Sequence, residues 1–214
     1  MPSADTRSVN GINMKTNEIF EANFDFSKPK SGFIFKTIVD PFIGRYSLIK
    51  VRSGVFKTDD MVYDSELETE IKLGKIYIMQ GNKTYEVPEL HAGDAGAVAK
   101  LGEARTGDTL STKATPIQYP KMDISKPYTY LRYKAKNKND IDKIAQAMAK
   151  IASEDPTFEP VTDAQNSQSL MYGIGDMQLE VIKSMLKNEY KVEIETEKPK
   201  ESKIGRAVQQ ECRD

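Results

Sequence analysis

His91 is the only histidine in the chain and Cys212 the only cysteine, so little nucleophilic or metal chemistry is within reach. His91 stands in Leu-His-Ala-Gly-Asp, beside a turn, with no second His or Cys to share a proton or a metal ion. A general base needs partners in hydrogen-bond reach, and a serine triad needs an imidazole of its own. His91 is therefore expected to be a surface or turn residue. Cys212 lies in the terminal run, which leaves no disulfide framework and no Cys-based zinc site. No catalytic residue and no metal site are expected.

Two short patterns imitate nucleotide chemistry. Asn137-Lys-Asn-Asp140 spells the Asn-Lys-x-Asp string with which GTPases read guanine. That role requires a phosphate loop upstream, and no Gly-x-x-x-x-Gly-Lys-Ser/Thr occurs in the sequence. The string reads better as the polar turn that opens a helix. Gly173-Ile-Gly175-Asp176 has too few glycines for a dinucleotide fingerprint and precedes a helix in the wrong topology.

Charge carries more. Lys30, Lys36, Arg45, Lys50, Arg52 and Lys57 accumulate over one stretch, with only Asp40 among them. Asp59, Asp60, Asp64, Glu66, Glu68 and Glu70 follow with no base between them. Further on, Arg132, Lys134, Lys136 and Lys138 alternate, so on a strand they would share one side. Chemically, such stripes suit phosphate. The alternative is a solvated surface laced with internal ion pairs.

These residues must be positioned by the elements around them. Residues 1–29 read as a polar lead-in segment with scattered apolar positions. From Pro29-Lys-Ser-Gly32 onward, strands are expected over Phe33–Val39 and Arg45–Val51, then at Glu70–Leu73, Lys75–Met79, Lys83–Val87 and Gly96–Leu101. Asp40-Pro41, Gly81-Asn82, Gly93-Asp94 and Gly107-Asp108 punctuate them, and Val55-Phe56 and Met61–Tyr63 flank what reads as a hairpin turn. Many short strands with close turn signals predict a barrel or sandwich over 30–115. Pro-rich residues 116–127 read as a linker.

The period then changes. Tyr128–Lys134 alternates as a strand, and Ile141, Ile144, Ala145, Met148, Ile151 and Ala152 follow helical spacing until Pro156. Thr157–Thr162 and Ser167–Tyr172 read as strands, Gly173–Gly175 as a hinge. Leu179, Ile182, Met185 and Leu186 mark a second helix, and Tyr190–Glu195 a last strand. The order βαββαβ over 128–198 is ferredoxin-like. The fold class expected is thus multi-domain, a β-barrel followed by an α+β domain, with 199–214 unassigned.

Composition bounds the rest. The 214 residues hold 31 Lys and Arg against 32 Asp and Glu, a formal net charge of −1, which excludes a histone-like polycation. With 38% hydrophobic residues a core can form. No apolar leader begins the chain and no run approaches the roughly 18 apolar residues of a membrane span. A monomeric, cytoplasmic protein without membrane contact is expected.

Longer strings carry a resemblance. Phe35-Lys-Thr-Ile-Val-Asp-Pro-Phe-Ile-Gly-Arg45, Lys50-Val-Arg-Ser-Gly-Val-Phe56, His91–Val98 and Thr106-Gly-Asp-Thr-Leu110 are similar, in order, to the second domain of bacterial elongation factor G. Ala152-Ser-Glu-Asp-Pro-Thr-Phe158, Ser167-Gln168, Gly173–Glu180 and Tyr190-Lys-Val-Glu193 resemble its third domain. The resemblance spans about residues 30–198. It implies a translation-factor β-barrel and a ferredoxin-like domain from a translational GTPase that moves tRNA and mRNA on the ribosome. It further implies a middle fragment without catalysis or cofactor of its own, GTP and magnesium belonging to a GTPase domain absent here, with further C-terminal domains as partners. On this resemblance, small-subunit rRNA and protein are the ribosomal partners, Lys36, Arg45, Lys50 and Arg52 the rRNA contact, and Gly173, Gly175, Gln178 and Glu180 an interdomain relay. The family pattern Gly-x-Gly-Glu-Leu-His-Leu-Glu departs at Gln178, where this chain lacks the His. A ribosomal protection or other translational GTPase paralogue is the alternative, and an unrelated stand-alone enzyme a third reading.

Overall fold

Two units, each with its own apolar core, meet in sequence at Asp123 and Ile124. The structure, a computed structural model, describes residues 8–40, 44–81, 83–164 and 166–199. The Pro41 turn, Asn82 and the tail from Lys200 onward, Cys212 included, lie outside the described residues.

The first unit begins with β1 (Val9–Asn13), β2 (Ile19–Ala22), β3 (Ser31–Asp40), β4 (Gly44–Ser53), β5 (Val55–Lys57), β6 (Met61–Asp64) and β7 (Thr69–Lys72). It continues through β8 (Ile76–Gln80), β9 (Lys83–Val87), β10 (Glu89–His91), β11 (Ala95–Ala99), β12 (Thr109–Ser111) and β13 (Ile117–Gln118). One antiparallel sheet runs β7-β6-β12-β3-β4-β11-β8-β9, and β5 pairs separately with β10. Alternation on the long strands β3 and β4 sends Ile34, Ile49 and Val51 inward, where they meet Val62, Ile76, Leu90, Val98 and Leu110. Burial of that set against water is what curls the sheet into the expected barrel. Gly54 makes the corner between β4 and β5 with φ +68, and a Cβ there would lie 2.6 Å from Lys30 Cα. Only glycine fits both demands.

Three expectations change here. The lead-in segment 1–29 contains the hairpin of β1 and β2, and β1 also pairs with β13 inside the stretch expected as linker 116–127. Ala22, Phe33, Ile117 and Tyr119 bury a small core beneath it. Val55-Phe56 and Met61–Tyr63 do not form a hairpin. β5 takes β10 as partner, while β6 lies between β7 and β12, because Phe56 and Leu90 must both enter the barrel core.

The second unit runs β14 (Thr129–Ala135), α1 (Ile141–Glu154), β15 (Glu159–Asp163), β16 (Gln168–Gly173), α2 (Asp176–Asn188) and β17 (Ile194–Glu197). Its sheet order, β15-β16-β14-β17 with every neighbour antiparallel, is the ferredoxin-like arrangement. Ile144, Ala147, Met148 and Ile151 of α1 and Leu179, Ile182 and Leu186 of α2 occupy one stripe per helix and pack with Met171 and Ile194. Asn137 caps a short 3-10 turn, Lys138–Asp140, by accepting from Asn139 N at 3.2 Å. The guanine-like string is thus a helix start, as its polarity implies.

Two strand starts are later than their residue types indicate. Thr157 is held by Asp155 Oδ1, through its N at 2.9 Å and its Oγ1 at 2.5 Å, so β15 begins only at Glu159. Val192 N returns to Leu186 O at 3.0 Å and Lys191 takes φ +56, so residues after Tyr190 close α2 before β17 begins.

Candidate functional site

Strand phase sorts the four cations of the first stripe. Lys50 and Arg52 lie on the outer face of β4, opposite the inward Ile49 and Val51. On β3 the register slips between Ile34 and Lys36, a β-bulge at Phe35. The bulge leaves Phe35 and Lys36 both exposed and sets Lys36 across from Leu48 on the outer face. Lys36, Lys50 and Arg52 therefore share a side, and among the described residues none of them forms an ion pair. Arg45 does not join them. It is in phase with Ser47, Ile49 and Val51, and its guanidinium donates to the carbonyls of Gly102 and Ala104, the latter at 2.7 Å. It is spent on holding a loop.

Beside Lys50 and Arg52 opens a cleft of about 580 Å³, with Phe33, Phe35, Tyr119 and Met122 among its walls. Phe35 and Met122 are 40% and 41% exposed. Lys50 Nζ is anchored on Gly93 O. Arg52 Nε is buried and has no hydrogen-bond partner among the described residues. Tyr119 fixes the inner wall, its hydroxyl 2.7 Å from Ser31 Oγ, which in turn is 2.6 Å from Ser53 Oγ. Burial pushes the Tyr119 phenol up to about 12, against the opposing influence of Ser31 and Arg52, so it stays protonated. Sequence reasoning missed this cleft, since a bulge leaves no signature in residue type and Tyr119 lay in an expected linker.

Much of the other charge runs is consumed internally. Lys30 meets Asp60 at 2.7 Å, Lys72 meets Asp59 at 2.8 Å and Lys113 meets Glu70 at 2.7 Å. Arg132 and Lys134 both face Glu197 on β17, at 3.5 and 2.9 Å, and Lys136 faces Glu193 at 2.7 Å. Three of the four cations of the second basic stripe thus form an ion-pair ladder, while Lys138 lies in the 3-10 turn. Asp64 is fully buried, and its Oδ1 accepts from Glu66 N and Leu67 N at 3.0 and 3.1 Å. Burial, with Asp108 nearby, holds the Asp64 carboxyl above the ordinary range, and burial does the same to Glu66. His91 is a surface residue. Its ring meets Phe26 edge-on, with Glu89 Oε1 at 3.2 Å from Nε2.

Two of the four relay residues, Gly173 and Gln178, meet in one knot. Gln178 Oε1 accepts from Ile174 N at 2.8 Å, and Nε2 donates to Asp155 Oδ2 and Thr157 Oγ1, each at 2.7 Å. The loop before α2 is thereby tied to the turn after α1. Gly173 makes room for this, because a Cβ there would sit 2.6 Å from Gln178 Oε1 and 2.9 Å from Leu179 Cδ2. Gly175 has open space around it, and Glu180 is exposed with Lys183 3.9 Å away. Neither of these two is part of the knot.

Comparison with known families agrees with the two-domain architecture. The model of elongation factor G domain 2 matches residues 29–113, and that of elongation factor G domain III matches residues 124–198. A crystal structure of a protein from Thermus thermophilus superposes with a TM-score of 0.71 and 26% sequence identity. The match covers 81% of this chain and 26% of that one.

Proposed function

The chain belongs to the elongation factor G family, carrying its second and third domains, and from that premise we propose that it docks on the small ribosomal subunit during translocation of tRNA and mRNA. The observation that carries this reading is the outer face of β3 and β4, where Lys36, Lys50 and Arg52 lie together without carboxylate partners among the described residues. Cations without carboxylate partners on a rigid strand suit the phosphates of rRNA, since phosphate contacts position a protein without reading sequence. On this reading Arg45, on the opposite phase of β4 and bonded to the Gly102 and Ala104 carbonyls, has a structural part instead. On this reading the chain has no catalytic step of its own. GTP and magnesium belong to a GTPase domain of the parent protein, which with its C-terminal domains completes the partners in the cytoplasm. Among the described residues no helix is long and apolar enough to cross a membrane.

The ferredoxin-like domain has a mechanical part. Gln178 makes the α1–β15 turn and the β16–α2 loop move as one body, which is what a relay by rigid-body shift requires. One feature favours a divergent paralogue, such as a ribosomal protection factor. The amide of Gln178 stands where the family pattern has a histidine, so whatever that ring does in other members this chain does with a neutral side chain.

Co-sedimentation of the 214-residue chain with small-subunit particles at rising salt tests the docking. Binding should weaken with salt, and the pair Lys50→Glu and Arg52→Glu should flatten the log–log slope by about two, one per lost phosphate contact. Unchanged affinity and slope in the double variant would overturn the reading.

A further inference from the structure

We infer that the cleft beside Lys50 and Arg52 receives a single unstacked nucleotide of an RNA strand, its base against Phe35 and its phosphate at the two cations. The inference rests on the docking reading but asks more of it, since duplex phosphates alone would need no cleft.

Four observations carry it. The volume of about 580 Å³ falls in the range of small-ligand pockets. Its walls include the planar apolar surfaces of Phe33, Phe35 and Tyr119, with Met122 beside them. Two cations and no carboxylate line it, so its charge complements an anion and opposes a cationic or zwitterionic guest. Arg52 Nε is a buried donor without a partner among the described residues, a group that an acceptor oxygen would satisfy. The bulge is the device that assembles these parts. In a regular β3, residue 36 would share the inner face with Ile34. With the extra residue, Phe35 stands exposed at the cleft and Lys36 stays outward next to it.

An aromatic wall and adjacent cations together fit a nucleotide better than either a bare phosphate or an apolar peptide. Bases unstacked from single-stranded or looped RNA are held in this manner, by stacking on aromatic rings or guanidinium planes. The contact is tolerant of sequence, because every base has a flat face. The polar side chains lining the cleft are Lys50 and Arg52, which the phosphate would occupy, and Tyr119, whose hydroxyl is committed to Ser31.

Fluorescence anisotropy with the intact chain tests it, using labelled hexauridylate, an abasic hexamer of equal charge, and an RNA hairpin without unpaired bases outside its loop closure. Hexauridylate should bind about tenfold more tightly than the abasic strand, the scale of one stacked base. Phe35→Ala should erase that difference while leaving the abasic affinity unchanged, and Met122→Ala serves as the second probe should the first variant fail to fold. Equal binding of the base-containing and abasic strands would overturn the inference, as would Phe35→Ala and Met122→Ala variants that both keep the difference. Displacement of the RNA by an acidic peptide at lower concentration than by hexauridylate would also overturn it, assigning the cleft to a protein. The docking reading fails separately, by an unchanged salt slope of the Lys50→Glu, Arg52→Glu pair on small-subunit particles.

Discussion

Gln178 Nε2 donates to Asp155 Oδ2 at 2.7 Å, joining the first turn of one helix of the ferredoxin-like domain to the residue that ends the other. The bond is local in space and remote in sequence. Around it the same amide satisfies Ile174 N and Thr157 Oγ1, so one side chain fixes two loops.

Replacing Gln178 by Ala leaves Ile174 N and Asp155 Oδ2 without that partner in a half-buried setting, and should destabilise the second unit by about 1–3 kcal/mol. The first unit should be unaffected. Urea titration followed by a probe in each unit checks both statements. Gln178→His, which offers one donor and one acceptor, should recover part of the loss.

Arg45 should behave as a structural cation. Arg45→Ala removes the donor to the Gly102 and Ala104 carbonyls and should lower stability of the barrel by about 1–3 kcal/mol. The salt dependence of ribosome binding should stay as in the parent chain. Thermal melts and co-sedimentation on the same variant separate the two effects.

Asp64 gives a pH dependence of definite sign. Its folded carboxyl titrates above the ordinary range because of burial, so the folded state binds protons more readily than the unfolded one. Its contribution to stability is present below the unfolded pKa and is lost as pH rises through the raised folded value. Asp64→Asn keeps an acceptor for Glu66 N and Leu67 N but removes the titration. The stability of the parent relative to the variant should therefore fall between ~pH 4 and neutrality, as read from urea midpoints over that range.

Limited trypsin digestion should cut first at Lys121, which is exposed and lies beyond β13 with no regular structure around it. The products should be two fragments that each melt cooperatively, since each core is drawn from its own unit. An early cut within α1 would contradict the packing of Ile144, Met148 and Ile151.

The helices were legible because a buried stripe must recur at helical spacing, as Ile144, Ala147, Met148 and Ile151 do. The long strands β3 and β4 were legible by alternation. What could not be read was partnership. β5 looks for β10 rather than the neighbouring β6, a choice made by Phe56 and Leu90 in a core assembled from distant segments. The hairpin of β1 and β2 escaped because its strands are short and their apolar residues do not alternate, with Gly11 where Ile117 and Tyr119 leave no room for a side chain. At the site, sequence proximity grouped Arg45 with Lys50 and Arg52, whereas strand phase divides odd positions from even ones. The bulge at Phe35 shifts that phase on β3 and is invisible before pairing is known.

The pairing of β1 with β13 joins residues about a hundred positions apart, with Ile12 opposite Gln118. During synthesis the hairpin of β1 and β2 emerges before β13 and must wait for it until nearly the whole barrel sequence has been made. Closing so long a loop is entropically slow, and β1 offers an unpaired edge until it happens. The short strand β13, the last of the first unit, thus acts as the latch of the β1–β2 hairpin, and that edge is covered only when the chain has nearly reached the next domain.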